Sequence, residues 1–457
     1  MDAAKAQGKL PNILVEALSS FSAVLLLLGM SLISTSVGAE DASPIYSGDF
    51  LNRSTLTGDW GGARNELATK GITIDLGLTQ VEQSVTGGGK DSTWEYGGRG
   101  DLTVNIDTQK LGLWHGGLLT IDFQGNFSRS VNNNTGALMP VNSNQLYPMP
   151  NGDNLNLAQL SIAQSFSNYA GLILGKIEPS IDANEFAAGL GDTQFLNDAL
   201  TANPVTSLVT PFSTLGAVVN VSPTTHHNEA IIDFSILQTN GNANTSGFND
   251  LSSNKLTFSG QGRVRTDFFG LTGHQLLGVE YSNQSFTSLG QNLRFIVVNR
   301  TVAKKDGSWD VYYNFDQYLY EPNKGSGQGA GVFGRLGASD GNPNPIHYFY
   351  SMGVGGKGIV PGRSNDRFGL GYYHITVSNI NLQGVLLNPL LQNRSFLRNE
   401  DGFEAFYSVA ITPWILLAPD IQVIRPAQKQ KIATTSPLSL QGINTATVLG
   451  VRLQMQF

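Results

Sequence analysis

The sequence predicts an all-β chain, a transmembrane antiparallel β-barrel of 16 strands with short periplasmic turns and long outer loops. Three observations carry this expectation. Apolar and polar residues alternate with a period of two through segment after segment. The gaps between those segments alternate between long and short. The polar positions are rich in Asp, Asn, Gln, Thr, Ser and Arg rather than in the Lys and Glu of a solvated sheet.

Taken in order, the chain opens on a segment unlike the rest. Lys5 and Lys9 precede the apolar run from Ala23 to Ile33, and Val37-Gly38-Ala39 follows with small residues. A positive start, an apolar middle and a small-residue end predict a secretory signal peptide over 1–39, cleaved after Ala39. Residues 40–71 are expected to form an N-terminal periplasmic segment with a short helix, and 72–457 the barrel, with no further domain ahead of it. Beyond the leader no stretch is long and apolar enough to cross a bilayer as a helix.

The strands are expected near 72–80, 99–107, 117–127, 155–163, 169–176, 214–221, 229–238, 261–269, 274–285, 308–319, 330–337, 346–354, 366–375, 402–411, 415–424 and 446–457. The last is the clearest. Leu449, Val451, Leu453, Met455 and Phe457 fall on one face, and Gly450, Arg452, Gln454 and Gln456 on the other. Strict alternation marks a strand with one dry and one wet face. About ten residues per strand suits a tilted crossing of the hydrocarbon layer, and an even strand count suits an outer-membrane barrel. The gaps run long, then short: 81–98 and 108–116, 128–154 and 164–168, 177–213 and 222–228. The pattern breaks at 338–345, too short for an outer loop. It is strained at 286–307, where Leu293 to Val298 reads as an extra strand.

Composition narrows the class. Fifty-three Gly among 457 residues is about 12%, against roughly 7% in average proteins. With no Cys, neither a disulfide scaffold nor a Cys-ligated metal is expected. A net charge of −7 disfavours binding to nucleic acid. A soluble β-sandwich also alternates, but its wet face would carry many Lys and Glu. A closed barrel leaves no exposed sheet edge and satisfies every backbone group inside the membrane.

Several stretches resemble one family. They are Leu56-Thr57-Gly58-Asp59-Trp60-Gly61-Gly62-Ala63-Arg64 followed by Leu67 and Gly71-Ile72, Ser308 through Leu319 (SWDVYYNFDQYL), Pro361 through Gly371 (PGRSNDRFGLG), and Ile411-Thr412-Pro413-Trp414 through Gln422. In that order they are similar to the carbohydrate-selective porin (OprB) family. The resemblance runs from about residue 50 to 457. It implies a sixteen-stranded, multi-pass barrel of the Gram-negative outer membrane. Small sugars such as glucose would be its permeating solutes, lipid would surround it, and a homotrimer is one assembly open to it. Gln428 to Asn444 departs from the family pattern and leaves the outermost loop open. Phe457 suits a barrel, as a terminal aromatic at the membrane boundary.

Catalytic chemistry is not legible. Gly353-x-Gly355-x-x-Gly358 matches a dinucleotide fingerprint, but Pro361 and a strand follow it instead of a helix. His226-His227 is a possible metal pair, but adjacent residues on a strand would point apart, and a surface periplasmic turn is the expected setting. No H-E-x-x-H helix occurs, and no carboxylate pair stands out as a glycosidase pair. No enzyme, cofactor or metal is expected. What remains is a pore lining. By alternation Arg99, Asp101, Asp122, Asp233, Arg263, Arg265, Asp267, Glu280, Asp310, Tyr312, Asp316 and Tyr318 point inward, as do Asp420 and Arg452. Mixed charges offer hydrogen bonds to hydroxyl-rich solutes, whereas a ring of one sign would select ions. The long gap 177–213 is expected to fold inward as an acidic constriction through Glu178, Asp182, Glu185 and Asp192, disfavouring anions. Trp94 and Tyr96 are placed at the mouth for stacking on sugar rings. The expected mechanism is passive diffusion through a polar, constricted lumen. A general diffusion porin without sugar preference, an outer-membrane enzyme on a β scaffold and a soluble carbohydrate-binding module are the alternatives.

Overall fold

The structure, a computed structural model, describes residues 46–147, 154–179, 184–224, 230–292, 301–378, 382–383, 397–433 and 436–457. The predicted leader over 1–39, Asp182, the pair His226-His227 and the extra strand at Leu293 to Val298 lie outside them. Among the described residues no helix is long and apolar enough to cross a membrane.

Sixteen antiparallel strands close into one barrel. They are β1 (Ile72–Gly87), β2 (Trp94–Asp107), β3 (Gly117–Ser128), β4 (Asn156–Ser167), β5 (Ala170–Ile177), β6 (Thr214–Val221), β7 (Ala230–Gln238) and β8 (Leu256–Thr266). The other half is β9 (Gly273–Thr287), β10 (Lys304–Tyr320), β11 (Gly329–Ser339), β12 (Ile346–Lys357), β13 (Arg367–Val377), β14 (Glu400–Thr412), β15 (Ile415–Arg425) and β16 (Ala446–Gln456). Each expected strand is found, most of them longer than the alternation alone marks. The one clear shift is β8. Asp267 leads into a tight turn at Phe268–Gly270 in which Phe269 has φ 59°, so the strand ends at Thr266 and begins earlier, at Leu256. The gap at 340–345 is short, yet it lies at the long-loop end of the barrel between β11 and β12. β9 pairs directly with β10, so the barrel is complete without an added strand. Two small pairings, Gln291–Asn292 with Leu382–Gln383 and Gln430–Ala433 with Ser436–Gly442, stand apart from the barrel.

Burial runs opposite to that of a soluble sheet. On the outer face Leu277 is 57% and Leu336 53% exposed, while on the inner face Asn314 is 1% and Arg335 0% exposed. That inversion is what a barrel in lipid requires, with apolar side chains out and polar ones in.

The seam between β1 and β16 is latched by the N-terminal segment. Helix α1 (Ala63–Thr69) presents Arg64, whose guanidinium donates to the carbonyls of Phe457 (2.9 Å) and Ile74 (2.5 Å) and lies 3.9 Å from the Tyr46 ring centroid. The last residue of the chain is thereby tied to the first strand, and Phe457 N–H also donates to Leu76 (2.8 Å).

Candidate pore constriction

The connection from β5 to β6 turns into the barrel because one of its faces is apolar. Phe186, Ala187, Phe195, Ala199, Leu200 and Val205 are buried against wall residues that include Tyr312, Tyr318, Phe333, Tyr373 and Phe406. The wall makes room by omitting side chains. A Cβ on Gly355 would lie 2.8 Å from Phe186 Cβ, and one on Gly371 would lie 2.8 Å from a Leu200 methyl. This accounts for Gly355 in the dinucleotide-like spacing. Gly358, at φ 68°, makes the turn after β12.

A loop inside a barrel needs partners for its backbone, and the wall supplies them with charged side chains. Glu404 accepts the N–H groups of Leu196 (2.5 Å) and Asn197 (2.8 Å). Arg335 donates to the carbonyls of Leu200 (2.9 Å) and Ala187. Arg452 donates to those of Gly191 (2.8 Å) and Gln194 (2.7 Å). Asp316 accepts the Glu185 N–H (3.1 Å), and Tyr318 Oη donates to Glu185 Oε1 (2.9 Å). A second inward loop, after β3, is held in the same way, with Glu400 accepting the N–H of Leu138 (2.5 Å) and Met139 (3.1 Å). Lys176 donates to the carbonyls of Leu157 (2.6 Å) and Asn242 (3.3 Å).

The opposite, polar face of the loop borders a cavity of about 990 Å³ between it and β1–β4, β8 and β16. Among the described residues seven carboxylates and two guanidiniums line it: Asp75, Asp101, Asp122, Glu178, Glu185, Asp192 and Asp198 against Arg99 and Arg263. Arg99 bridges wall and loop, with Asp101 at 2.9 Å and Asp192 at 3.0 Å. Asp192 also accepts from Thr79 Oγ1 at 3.2 Å. Asp122 is held by Thr103 (2.8 Å) and Gln124 (2.6 Å). Burial pushes the Glu178 carboxyl up to about 8. Asp122 and Asp101 push in the same direction, and Arg99 and Gln124 oppose.

The residues expected to line one pore thus divide. Arg99, Asp101, Asp122, Arg263, Glu178, Glu185 and Asp192 border the cavity. Asp233 faces inward, hydrogen-bonded to Asn220 (2.6 Å) and Gln261 (2.9 Å). Glu280, Asp310, Tyr312, Asp316 and Tyr318 are on the inner wall but buried, each at most 3% exposed. Glu280, Tyr312, Asp316 and Tyr318 pack against or hydrogen-bond the loop, and none of the five faces open lumen. Asp420 and Arg452 are likewise buried, at 5% and 2%. Arg265 and Asp267 sit at the turn end, where Asp267 pairs with Lys324 at 3.2 Å, because β8 stops before Asp267. Trp94 and Tyr96 are corrected most clearly. Arg99 and Asp101 take the inward positions of β2, so Tyr96 faces out, its ring 6.3 Å from Phe127 and its hydroxyl on Gln80 (2.6 Å). Trp94 shares that parity and is 57% exposed. Both are boundary aromatics of the outer surface.

Arg335, Glu400 and Glu404 are the anchors that alternation did not single out. A charged residue on the wet face of a strand reads the same whether it meets water or a loop. Their one distinguishing mark is charge facing a Gly-rich wall opposite an apolar loop.

Comparison with known proteins agrees with this architecture. The family described as "Carbohydrate-selective porin, OprB family" matches residues 91–457. Porin B of Pseudomonas aeruginosa is 25% identical over 166 residues, covering 34% of this chain and 33% of that protein. The match thus spans about a third of the length of that curated relative. The high-pH structure of Pseudomonas putida OprB superposes with a TM-score of 0.74 at 21% identity, covering 90% of this chain and 100% of that one. The low-pH structure of the same protein gives 0.53 at 17% identity, covering 89% and 99%.

Proposed function

Since the chain belongs to the carbohydrate-selective porin, OprB family, we propose that its lumen conducts small neutral sugars, such as glucose, by passive diffusion. Membership and the closed sixteen-stranded barrel make it a multi-pass protein of the outer membrane. The turn end is then periplasmic and the long-loop end external.

The observation that carries the proposal is the constriction. One polar loop face stands across from a wall of Asp101, Asp122, Thr103 and Gln124, with Arg99 spanning the two. Carboxylates and amides set around a narrow lumen accept and donate to sugar hydroxyls at many points. No single contact is strong, so a solute enters and leaves. The excess of carboxylates supports a second feature, that the constriction disfavours anions. Residues 1–39 as a cleaved leader and 40–71 as a periplasmic segment belong to the same proposal.

Planar-bilayer recording of the refolded chain tests it. Discrete channels whose current falls on addition of glucose, and not of an uncharged non-sugar of similar size, are expected. Open channels indifferent to glucose would leave a general diffusion porin. No channels from the folded barrel would overturn the pore itself.

A further inference from the structure

Behind the loop, on the part of the wall that the pore does not use, two carboxylates oppose each other. Glu280 on β9 and Asp310 on β10 are register partners, 3% and 1% exposed. Directly opposed side chains on antiparallel strands have Cβ atoms about 4.5–5.5 Å apart. Only Glu280 Oε2 has a donor, Thr210 Oγ1 of the constriction loop at 2.7 Å. Glu280 Oε1 and both oxygens of Asp310 accept no hydrogen bond from any described residue. No ion pair among the described residues reaches either group. Lys305, on the same strand, pairs with Asp340 at 3.7 Å instead.

A separate observation points the same way. Ser308 lies two residues before Asp310 on the same inner face, is 1% exposed, and its Oγ is also without a partner. Three carboxylate oxygens and a hydroxyl are therefore dehydrated together with no counter-charge. Two buried ionised carboxylates without compensation are strongly unfavourable. We propose that a hard divalent cation of the Ca2+ or Mg2+ class bridges Glu280 and Asp310, with Ser308 Oγ as a further ligand.

The donor chemistry selects the class. All the available atoms are oxygens, which suit Ca2+ and Mg2+ and not the softer metals. A hydrated Mg2+ is commonly held by only one or two carboxylates, and Ca2+ accepts water and hydroxyl oxygens readily. The cation would neutralise the wall where the loop returns to β6. Thr210 grips Glu280 there, and the Val209 carbonyl accepts from Thr257. The bound ion would thereby clamp the end of the constriction loop.

Terbium luminescence on the refolded full chain tests this, with Tyr312 and Trp309 beside the site as sensitisers. Saturable emission displaced by Ca2+ is expected, and at least ten-fold weaker emission in Asp310→Asn and in Glu280→Gln. Emission unchanged in both variants would place the ion elsewhere, such as at the carboxylates of the pore, and overturn the proposal. Thermal unfolding of the unmodified chain gives a check that needs no variant. Ca2+ in place of chelator should raise its Tm by several degrees. A Tm indifferent to chelator would overturn the proposal in favour of a proton shared between the two carboxyls.

Discussion

Arg99 on the wall and Asp192 on the constriction loop form an ion pair of 3.0 Å, and the same guanidinium meets Asp101 at 2.9 Å. One positive group is thus enclosed by carboxylates at the narrow part of the lumen. Arg99→Ala removes the cation and leaves the acids. A shift of about 0.5–1 kcal/mol in the relative barriers for cations and anions is expected from one such charge in partly screened surroundings. The cation-over-anion permeability ratio should rise about 2–5-fold, and Asp192→Asn should lower it. Reversal potentials under a KCl gradient check both, and a ratio unmoved by either would remove the charge role of this pair.

Glu404→Gln leaves a side chain with one acceptor oxygen where two backbone N–H groups, of Leu196 and Asn197, were satisfied. An orphaned buried donor costs about 1–3 kcal/mol. The barrel ladders do not depend on this contact, so the strands should remain folded while the loop loosens. Greater open-channel noise, and protease cleavage between 185 and 203 entered from the lumen, are the expected signs.

Gly355→Val tests the close packing of loop on wall. The new Cβ would lie 2.8 Å from Phe186 Cβ and 3.3 Å from its carbonyl oxygen, and neither atom is the free end of a side chain. Overpacking of this kind costs about 1–3 kcal/mol. The loop is the part that can yield, so a larger single-channel conductance with weaker block by glucose is expected. An unchanged conductance would show that the wall moves instead.

Trp94→Ala and Tyr96→Ala should leave glucose block unaltered, because both side chains stand on the outer surface. A weakened block in either would return them to the pore. These residues also show where the sequence stops being legible. In β16 the run from Leu449 to Phe457 alternates without interruption, and its sidedness was readable residue by residue. The start of β2 is not legible in the same way, since Gly97, Gly98 and Gly100 carry no polarity to count. What a period of two cannot reveal is which wet-face residue meets solvent. Arg335 and Arg263 look alike in sequence. The first is fully buried on loop carbonyls, and the second borders the lumen. That difference is set by the path of a loop some 130 residues away along the chain, a contact no local pattern encodes.

Glu178 makes the selectivity depend on pH. Burial first, and then the neighbouring Asp122 and Asp101, raise its carboxyl to about 8, with Arg99 and Gln124 opposing. Below that pH the group is neutral and adds nothing to the lumen field. As pH rises through about 8 it ionises and adds one negative charge to a constriction already rich in them. The cation-over-anion ratio should therefore climb between pH 7 and 9. In Glu178→Gln the ratio should stay near the low-pH value throughout, since the amide cannot ionise and still accepts from Gln124. A climb that persists in Glu178→Gln would assign the titration to another lumen carboxylate, and a flat profile in the unmodified chain would mean that Glu178 does not titrate between pH 6 and 9.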